Sequence, residues 1–139
     1  MSRPDVVVHA TPEVLAAAAA ARLVTRIVDV QAASGSASLV LTGGGIGIAV
    51  LRALANTQAA TAVDWRQLDI YWGDERFLPN GDPERNDTQA REALLDRVDV
   101  DPARVHPMGT SDGPWGDDPD AAARAYEDLL LSRRRPEDR

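Results

Sequence analysis

Two short apolar runs in the first half of the chain are separated by three consecutive glycines and a helical pattern. The runs, SLVLT at 38–42 and LDIYW at 68–72, are rich in the β-branched and aromatic residues that favour strands. The glycines at 43–45 form a turn after the first run, and 49–55 has helical periodicity. This succession predicts a βαβ unit with two parallel strands. The first strand is apolar enough for burial on both faces.

The remaining sequence extends this unit into one α/β domain over residues 1–139. We predict a Rossmann-like, mainly parallel sheet with helices on both faces. Thr11, followed by proline and glutamate, has the composition of a helix N-cap, and Gly35 is the predicted C-terminal stop of the same helix. The further elements predicted are a first strand at 5–9 and helices at 12–33, 88–98 and 120–131.

Charge and composition exclude several classes of partner. The net charge is −7, and the basic surface that a nucleic-acid-binding protein needs is not evident. No apolar run approaches the roughly 20 residues of a membrane span, and no signal-peptide pattern is present. We therefore expect a cytoplasmic protein that binds neither nucleic acid nor membrane. The chain has no cysteine and no lysine, so arginine is the available anion-binding side chain.

A charged triplet follows the second predicted strand directly. Asp74, Glu75 and Arg76 precede a loop rich in proline, asparagine and glycine. Open α/β sheets bind ligands at the carboxyl ends of their strands, and a right-handed crossover would bring the glycine turn to the same edge. We expect Arg76 or Arg85 to hold a phosphate and Asp74 to orient a sugar hydroxyl or a catalytic group. The alternative is a surface cluster of ion pairs.

The glycine turn does not match a dinucleotide-binding fingerprint. Isoleucine at 48 and valine at 50 stand where the two possible registers of G-x-G-x-x-G require a small residue. What remains is a turn whose backbone N–H groups could hold a phosphate, or a tight turn without a ligand.

Other side chains with chemical potential are weaker candidates. His9 and His106 could each act as a general base by residue type, but we favour structural or surface roles for both. The carboxylates around the charged triplet are interspersed with arginines, so we expect no metal site. These carboxylates are Asp74, Glu75, Asp82, Glu84 and Asp87.

Several of these segments together resemble the 6-phosphogluconolactonase family. The matching segments are LTGGG at 41–45, WGDERFLP at 72–79, Asn86 and VHPM at 105–108. The resemblance implies hydrolysis of 6-phosphoglucono-δ-lactone to 6-phosphogluconate in the oxidative pentose phosphate pathway, without metal or redox cofactor. It also implies supporting catalytic roles for Asp74 and Arg76. The implied substrate-binding residues are Gly43, Gly44, Glu75 and Asn86. Gly45 is added as part of the glycine turn, although the family motif S-G-G-S-T-P usually has serine at this position. Arg85 stands where the family commonly has serine, so its proposed substrate contact is inferred from charge alone.

One family motif is missing from the sequence. The pattern G-x-G-x-D-G-H, whose histidine is thought to activate water in the family, does not occur. We therefore expect an N-terminal portion of a lactonase domain that lacks the general base and is inactive alone. The alternatives are an inactive phosphosugar-binding fragment and a glucosamine-6-phosphate deaminase-like isomerase. The related deaminases typically have an aromatic residue at the position of Arg76. An incomplete sheet would leave an exposed edge through which the chain could self-associate.

Overall fold

The computed structural model describes residues 2–134, in which helices alternate along the chain with the two strands of a parallel sheet. The elements are α1 (Pro12–Ser34), β1 (Ala37–Leu41), α2 (Gly44–Asn56), β2 (Leu68–Trp72), α3 (Asn86–Ala93) and α4 (Pro119–Ser132). Short 3-10 helices occur at Gln58–Ala62, Trp65–Gln67, Leu95–Arg97 and Pro102–Arg104. The predicted α/β class and the βαβ unit are confirmed. Among the described residues, no helix is long and apolar enough to cross a membrane.

Both ends of α1 are fixed by the capping residues that the sequence indicates. The Thr11 hydroxyl accepts a hydrogen bond from the Val14 N–H at 3.2 Å, which satisfies one free donor of the first turn. Gly35 ends the helix at φ 81°, a left-handed conformation that glycine adopts without strain. Its N–H donates to the Gln31 carbonyl at 2.7 Å. These local signals set the length of the helix.

The two strands pair in parallel and end at the same edge of the sheet. Ala37 lies opposite Leu68, and Leu41 lies opposite Trp72. The segment that contains Val105 extends the sheet, because Val105 forms a parallel bridge with Ile70. One face of the sheet packs into a core shared with α1, α2 and α3. This core places the carboxyl ends of the strands beside the start of α2.

Two expectations about strands are wrong. Residues 5–9 form no strand, and the Val6 and Val8 side chains are 83% and 87% exposed. No strand within residues 2–134 lies beside them, so their backbone has no ladder to join. The second error concerns β1, in which Val40 is 63% exposed. The helices cover the face of β1 that carries Leu41 and leave Val40, on the opposite face of this strand, exposed.

The helix boundaries also differ from those predicted. α2 begins at Gly44, five residues before the predicted start, so two of the three glycines lie in its first turn. α3 covers Asn86–Ala93 and gives way to a 3-10 turn, whereas the periodicity predicted one helix over 88–98. The earlier start of α2 matters for the site, because the helix N-terminus itself faces the loop after β2.

Candidate functional site

The glycine turn and the charged triplet meet where the two strands end. The Gly73 N–H donates to the Leu41 carbonyl at 3.0 Å, which continues the sheet pairing by one residue. Beyond this bond the two segments separate, one continuing to Gly43 and the other to Asp74. The predicted convergence of these two segments at one edge of the sheet is therefore confirmed.

Asn86 links the glycine turn to Asp74. A Cβ atom placed on Gly43 would overlap the Asn86 amide group, so a glycine is required for this close approach. The Asn86 Nδ2 donates to the Asp74 carbonyl at 3.1 Å and to the Asp74 Oδ1 at 3.3 Å. The Asp74 carboxylate remains on the exposed side of the loop. Asn86 thus holds the turn and the carboxylate together.

The Glu75 carboxylate caps α3 from outside that helix. Its Oε1 accepts the N–H groups of Asn86 at 2.6 Å and Arg76 at 2.8 Å, and its Oε2 accepts that of Asp87 at 2.9 Å. The Glu75 side chain is 2% exposed. Negative charge at a helix N-terminus is favourable because free N–H groups point outward there. Both oxygens of the Glu75 carboxylate are thus bound to backbone N–H groups, and the structure shows these contacts in place of the predicted contact with a substrate.

Arg85, predicted to hold a phosphate, is 0% exposed. Its guanidinium donates to Asp87 Oδ1 at 3.0 Å, Met108 O at 2.9 Å, Gly109 O at 3.1 Å and Arg76 O at 3.2 Å. It also lies 3.6 Å from the Glu75 carboxylate. A ligand in the cleft has no access to this group. The charge of Arg85 is compensated internally, which is how a buried arginine is normally tolerated.

Of the two arginines predicted to hold a phosphate, Arg76 is the one whose guanidinium is accessible. It is exposed, and no hydrogen bond or ion pair joins its guanidinium to another residue of the described part of the chain. It lines two depressions. The first, called here the glycine cleft, has a volume of about 390 Å³ and contains Gly44, Gly45, Ile48, Arg52, Arg76, Glu84, Asn86 and Gln89. The second, of about 240 Å³, is apolar and lies against α4.

The glycine cleft has a locally positive character within an acidic protein. Arg52 and Arg76 contribute two positive charges, and Glu84 contributes one negative charge. The first turn of α2 adds backbone N–H groups at Gly44 and Gly45, the positive end of a helix dipole. Sequence reasoning missed Arg52. Once α2 begins at Gly44, the i, i+4, i+8 spacing places 44, 48 and 52 on one helix face.

The loop after β2 is also tied to the segment around residue 110. The Ser111 N–H donates to the Leu78 carbonyl at 3.0 Å, and the Asn80 N–H donates to the Asp112 carboxylate at 2.9 Å. The Asn80 N–H, assisted by the Thr110 side chain, lowers the pKa of Asp112 below its ordinary value. The carboxylate of Asp112 is therefore charged at neutral pH and retains this contact.

The two histidines lie outside the glycine cleft. His106 is buried, its Nε2 lies 3.2 Å from Asp69 Oδ1, and its ring stacks on Tyr71 with centroids 4.7 Å apart. His9 lies just before α1. Within residues 2–134, no group of three or more histidine, aspartate or glutamate side chains is arranged to hold a metal ion.

Comparison with known proteins identifies the family. Residues 10–137 match the profile of the glucosamine-6-phosphate isomerases/6-phosphogluconolactonase family. The chain belongs to this family. The predicted resemblance is thus confirmed, and it extends over nearly the whole chain.

Relatives named 6-phosphogluconolactonase are substantially longer than this chain. The protein from Streptomyces coelicolor is 60% identical over 134 residues, which are 96% of this chain and 51% of the relative. The protein from Mycobacterium tuberculosis is 50% identical over 126 residues, 91% of this chain and 50% of the relative. The chain therefore spans about half the length of the curated relatives it matches.

Solved structures of the family have the same fold. The 6-phosphogluconolactonase of Trypanosoma brucei is 28% identical, with a TM-score of 0.74 over 94% of this chain and 51% of that protein. A monomeric glucosamine-6-phosphate deaminase is 24% identical, with a TM-score of 0.72 over 88% of this chain and 48% of that protein. The second likeness shows the shared fold alone. The Rossmann-like architecture is common to both branches of the family.

Proposed function

We propose that this chain is the N-terminal portion of a 6-phosphogluconolactonase domain and binds the phosphosugar lactone in the glycine cleft. The complete domain would hydrolyse 6-phosphoglucono-δ-lactone to 6-phosphogluconate. The observation that carries the proposal is the exposed Arg76 guanidinium, which lines this cleft without a partner in residues 2–134. The 60% identity to a relative named 6-phosphogluconolactonase supports the choice of substrate.

The phosphate would be held by the start of α2 and by Arg76. Helix N-termini bind phosphate through free backbone N–H groups, here those near Gly44 and Gly45. An arginine adds two parallel, charge-assisted hydrogen bonds to phosphate oxygens. Gly43 would support this site by allowing Asn86 to approach, without itself lining the cleft.

Asp74 would orient the sugar. Its carboxylate lies beside the cleft and is held from behind by the Asn86 amide. An ionised carboxylate accepts hydrogen bonds from sugar hydroxyl groups, and it repels a misplaced phosphate. Asp74 and Arg76 would thus select one orientation of the substrate, in which the phosphate lies at the positive Arg76 and the sugar hydroxyl groups lie at the negative Asp74.

Hydrolysis requires a base as well as these binding groups. A water oxygen forms a bond to the lactone carbonyl carbon while a base removes its proton; the ring C–O bond then breaks and the ring oxygen takes up a proton. No histidine lines the glycine cleft in the described part of the chain. His106 is buried and does not line this cleft. We therefore propose that residues 2–134 bind substrate and leave the activation of water to a group outside them.

Binding of 6-phosphogluconate, followed by ¹⁵N NMR, tests the proposed site. We expect the amide signals of Gly44, Gly45 and Arg76 to shift on titration. Arg76→Ala should abolish the shifts. Arg66→Ala is the matched control, because Arg66 is an exposed arginine paired with Asp99 on another part of the surface. Absence of shifts at millimolar ligand in the folded wild-type chain would contradict the proposal.

Two further measurements separate the alternatives. Stronger binding of glucosamine 6-phosphate than of 6-phosphogluconate would favour the deaminase-like function. Lactone hydrolysis by the 139-residue chain should not exceed the spontaneous rate. A clear excess rate that survives repurification would place the base within this chain, and His9 and His106 would be the first residues to replace.

We also propose that the open edge of β1 mediates self-association. Among the described residues, β1 pairs only with β2, so its other edge has no strand partner there. Unpaired strand edges join other strands readily, and a two-fold axis would pair β1 with its copy in an antiparallel manner. Sedimentation of the chain should then show a mass that rises with concentration.

A further inference from the structure

Two buried charged side chains hold the backbone of Arg76 from both sides. The Arg76 N–H donates to the Glu75 carboxylate at 2.8 Å, and the Arg76 carbonyl accepts from Arg85 Nη1 at 3.2 Å. The side chains of Glu75 and Arg85 are 2% and 0% exposed. Both peptide groups that flank the Arg76 side chain are therefore fixed by ionic groups that solvent does not reach.

The same pair fixes the other segments of the site relative to Arg76. Glu75 also accepts the N–H groups at the start of α3, including that of Asn86 at 2.6 Å. Arg85 also donates to the carbonyls of Met108 and Gly109. Three stretches that are distant in the sequence, 75–76, 85–87 and 108–109, meet at one guanidinium. The position of Arg76 is thus coupled to both α3 and the segment after Val105.

A buried ion pair is a costly way to stabilise a fold. Removing two charges from water has a large desolvation penalty, and well-packed apolar residues often stabilise a fold as well or better. Such a pair does fix the relative positions of its partners, because the N–H groups of a guanidinium donate hydrogen bonds in only a few fixed directions. Arg85 uses this directionality to hold the backbone of Arg76. The side chain of Arg76 lines the glycine cleft and has no partner in the described part of the chain.

We propose that Arg85 and Glu75 are positioning residues, which fix Arg76 and Asn86 so that the glycine cleft is formed before the phosphosugar binds. This inference rests on the proposed function, in which Arg76 holds the phosphate. Preorganisation of this kind raises affinity by removing the cost of ordering the binding group. The sequence alone suggested a direct contact of Arg85 with phosphate; its complete burial assigns it this indirect role instead.

The decisive variant is Arg85→Lys. Lysine keeps the positive charge, but a single ammonium group cannot reach Asp87, the Arg76 carbonyl and the 108–109 carbonyls together. The matched control is Ile27→Ala, a cavity variant in the buried face of α1 that lies outside the cleft. Both variants lower stability, so a comparison between them separates loss of stability from loss of positioning.

Two quantities are measured for each variant. The first is the dissociation constant for 6-phosphogluconate per folded molecule. The second is the hydrogen exchange of the Arg76 amide compared with that of Val24 in α1. In Arg85→Lys we expect the dissociation constant to rise about tenfold or more, as small misplacements of a binding group are costly. Protection of the Arg76 amide should fall further than that of Val24. In Ile27→Ala the affinity per folded molecule should be unchanged, and Val24 should lose at least as much protection as Arg76.

The proposal is overturned if Arg85→Lys matches Ile27→Ala in both quantities, since a merely structural role predicts that result. If Arg85→Lys does not fold, Glu75→Gln replaces it, because the amide keeps the size of the side chain but loses one acceptor oxygen. If the wild-type chain binds no 6-phosphogluconate, the proposed function fails while the exchange measurement still decides whether Arg85 fixes Arg76.

Discussion

The hydroxyl group of Tyr126 replaces a hydrogen bond of the sheet. His106 N donates to Ile70 O at 2.8 Å, and the next bond of a parallel ladder would join Trp72 N to His106 O. The hydroxyl lies between them instead: it accepts from Trp72 N at 3.1 Å and donates to His106 O at 2.7 Å. It therefore ties α4 to the end of β2, next to the charged triplet.

Tyr126→Phe should lower the free energy of unfolding by about 2 to 5 kcal/mol. The substitution leaves one N–H and one carbonyl without a partner, at residues that are 2% and 6% exposed. An unpaired buried polar group costs about 1 to 3 kcal/mol, and partial closure of the gap between the strands would recover some of this. For a chain of this length, the melting temperature should fall by roughly 8 to 20 °C.

Urea or thermal denaturation followed by circular dichroism measures this difference. The control is Tyr71→Phe, which removes the second tyrosine hydroxyl of the chain while preserving the ring stacked on His106. The Tyr71 hydroxyl has no hydrogen-bond partner within residues 2–134, so the control should change stability by less than about 0.5 kcal/mol. Equal effects of the two substitutions would refute the bridging role of Tyr126.

The same bridge predicts a dependence on alkaline pH. Burial raises the pKa of Tyr126 above its ordinary value, although the Trp72 N–H acts in the opposite direction. Because the folded state favours the protonated phenol, its contribution to stability is complete below the unfolded pKa of about 10 and is lost as the pH rises through the higher folded value. The stability difference between wild type and Tyr126→Phe should therefore shrink above about pH 10.

Three further substitutions probe the turns and the open edge. Gly43→Ala should cost about 1 to 3 kcal/mol and weaken phosphosugar binding, because its methyl group would displace Asn86; Gly45→Ala, which meets no atom within 4 Å, is the stability control. Gly35→Ala should cost about 1 to 2 kcal/mol in thermal denaturation, since its φ of 81° strains any residue with a Cβ. Val40→Lys should suppress concentration-dependent association in sedimentation experiments, because a charge on an edge strand opposes pairing; unchanged association would place the contact elsewhere.

Features that depend on neighbours in the sequence could be predicted well. β2 occupies residues Leu68–Trp72, as the apolar run indicates, and the caps of α1 are the expected Thr11 and Gly35. The meeting of the glycine turn with Asp74 also followed from the geometry of parallel strands. In each case the determining interaction is local or is imposed by a general rule of sheet topology.

Features that depend on distant partners could not be predicted. The N–H groups that bury the Glu75 carboxylate include those of Asn86 and Asp87, 11 and 12 residues away. The carbonyls bound by Arg85 lie up to 24 residues away, so its charge suggested a ligand contact. Val6, Val7 and Val8 have strand propensity, but propensity cannot supply the neighbouring strand that pairing requires.

The buried and the exposed charges of the site have different roles in the proposed function. Within residues 2–134, Arg85 forms ion pairs with the carboxylates of Glu75 and Asp87, so these buried charges compensate one another. Arg76 and Asp74 instead keep exposed groups at its rim. Binding and activation of water would then be separable: loss of the base should reduce the rate of hydrolysis while affinity for 6-phosphogluconate persists. Measurable affinity without hydrolysis is the expected combination, and hydrolysis without measurable affinity would contradict this division.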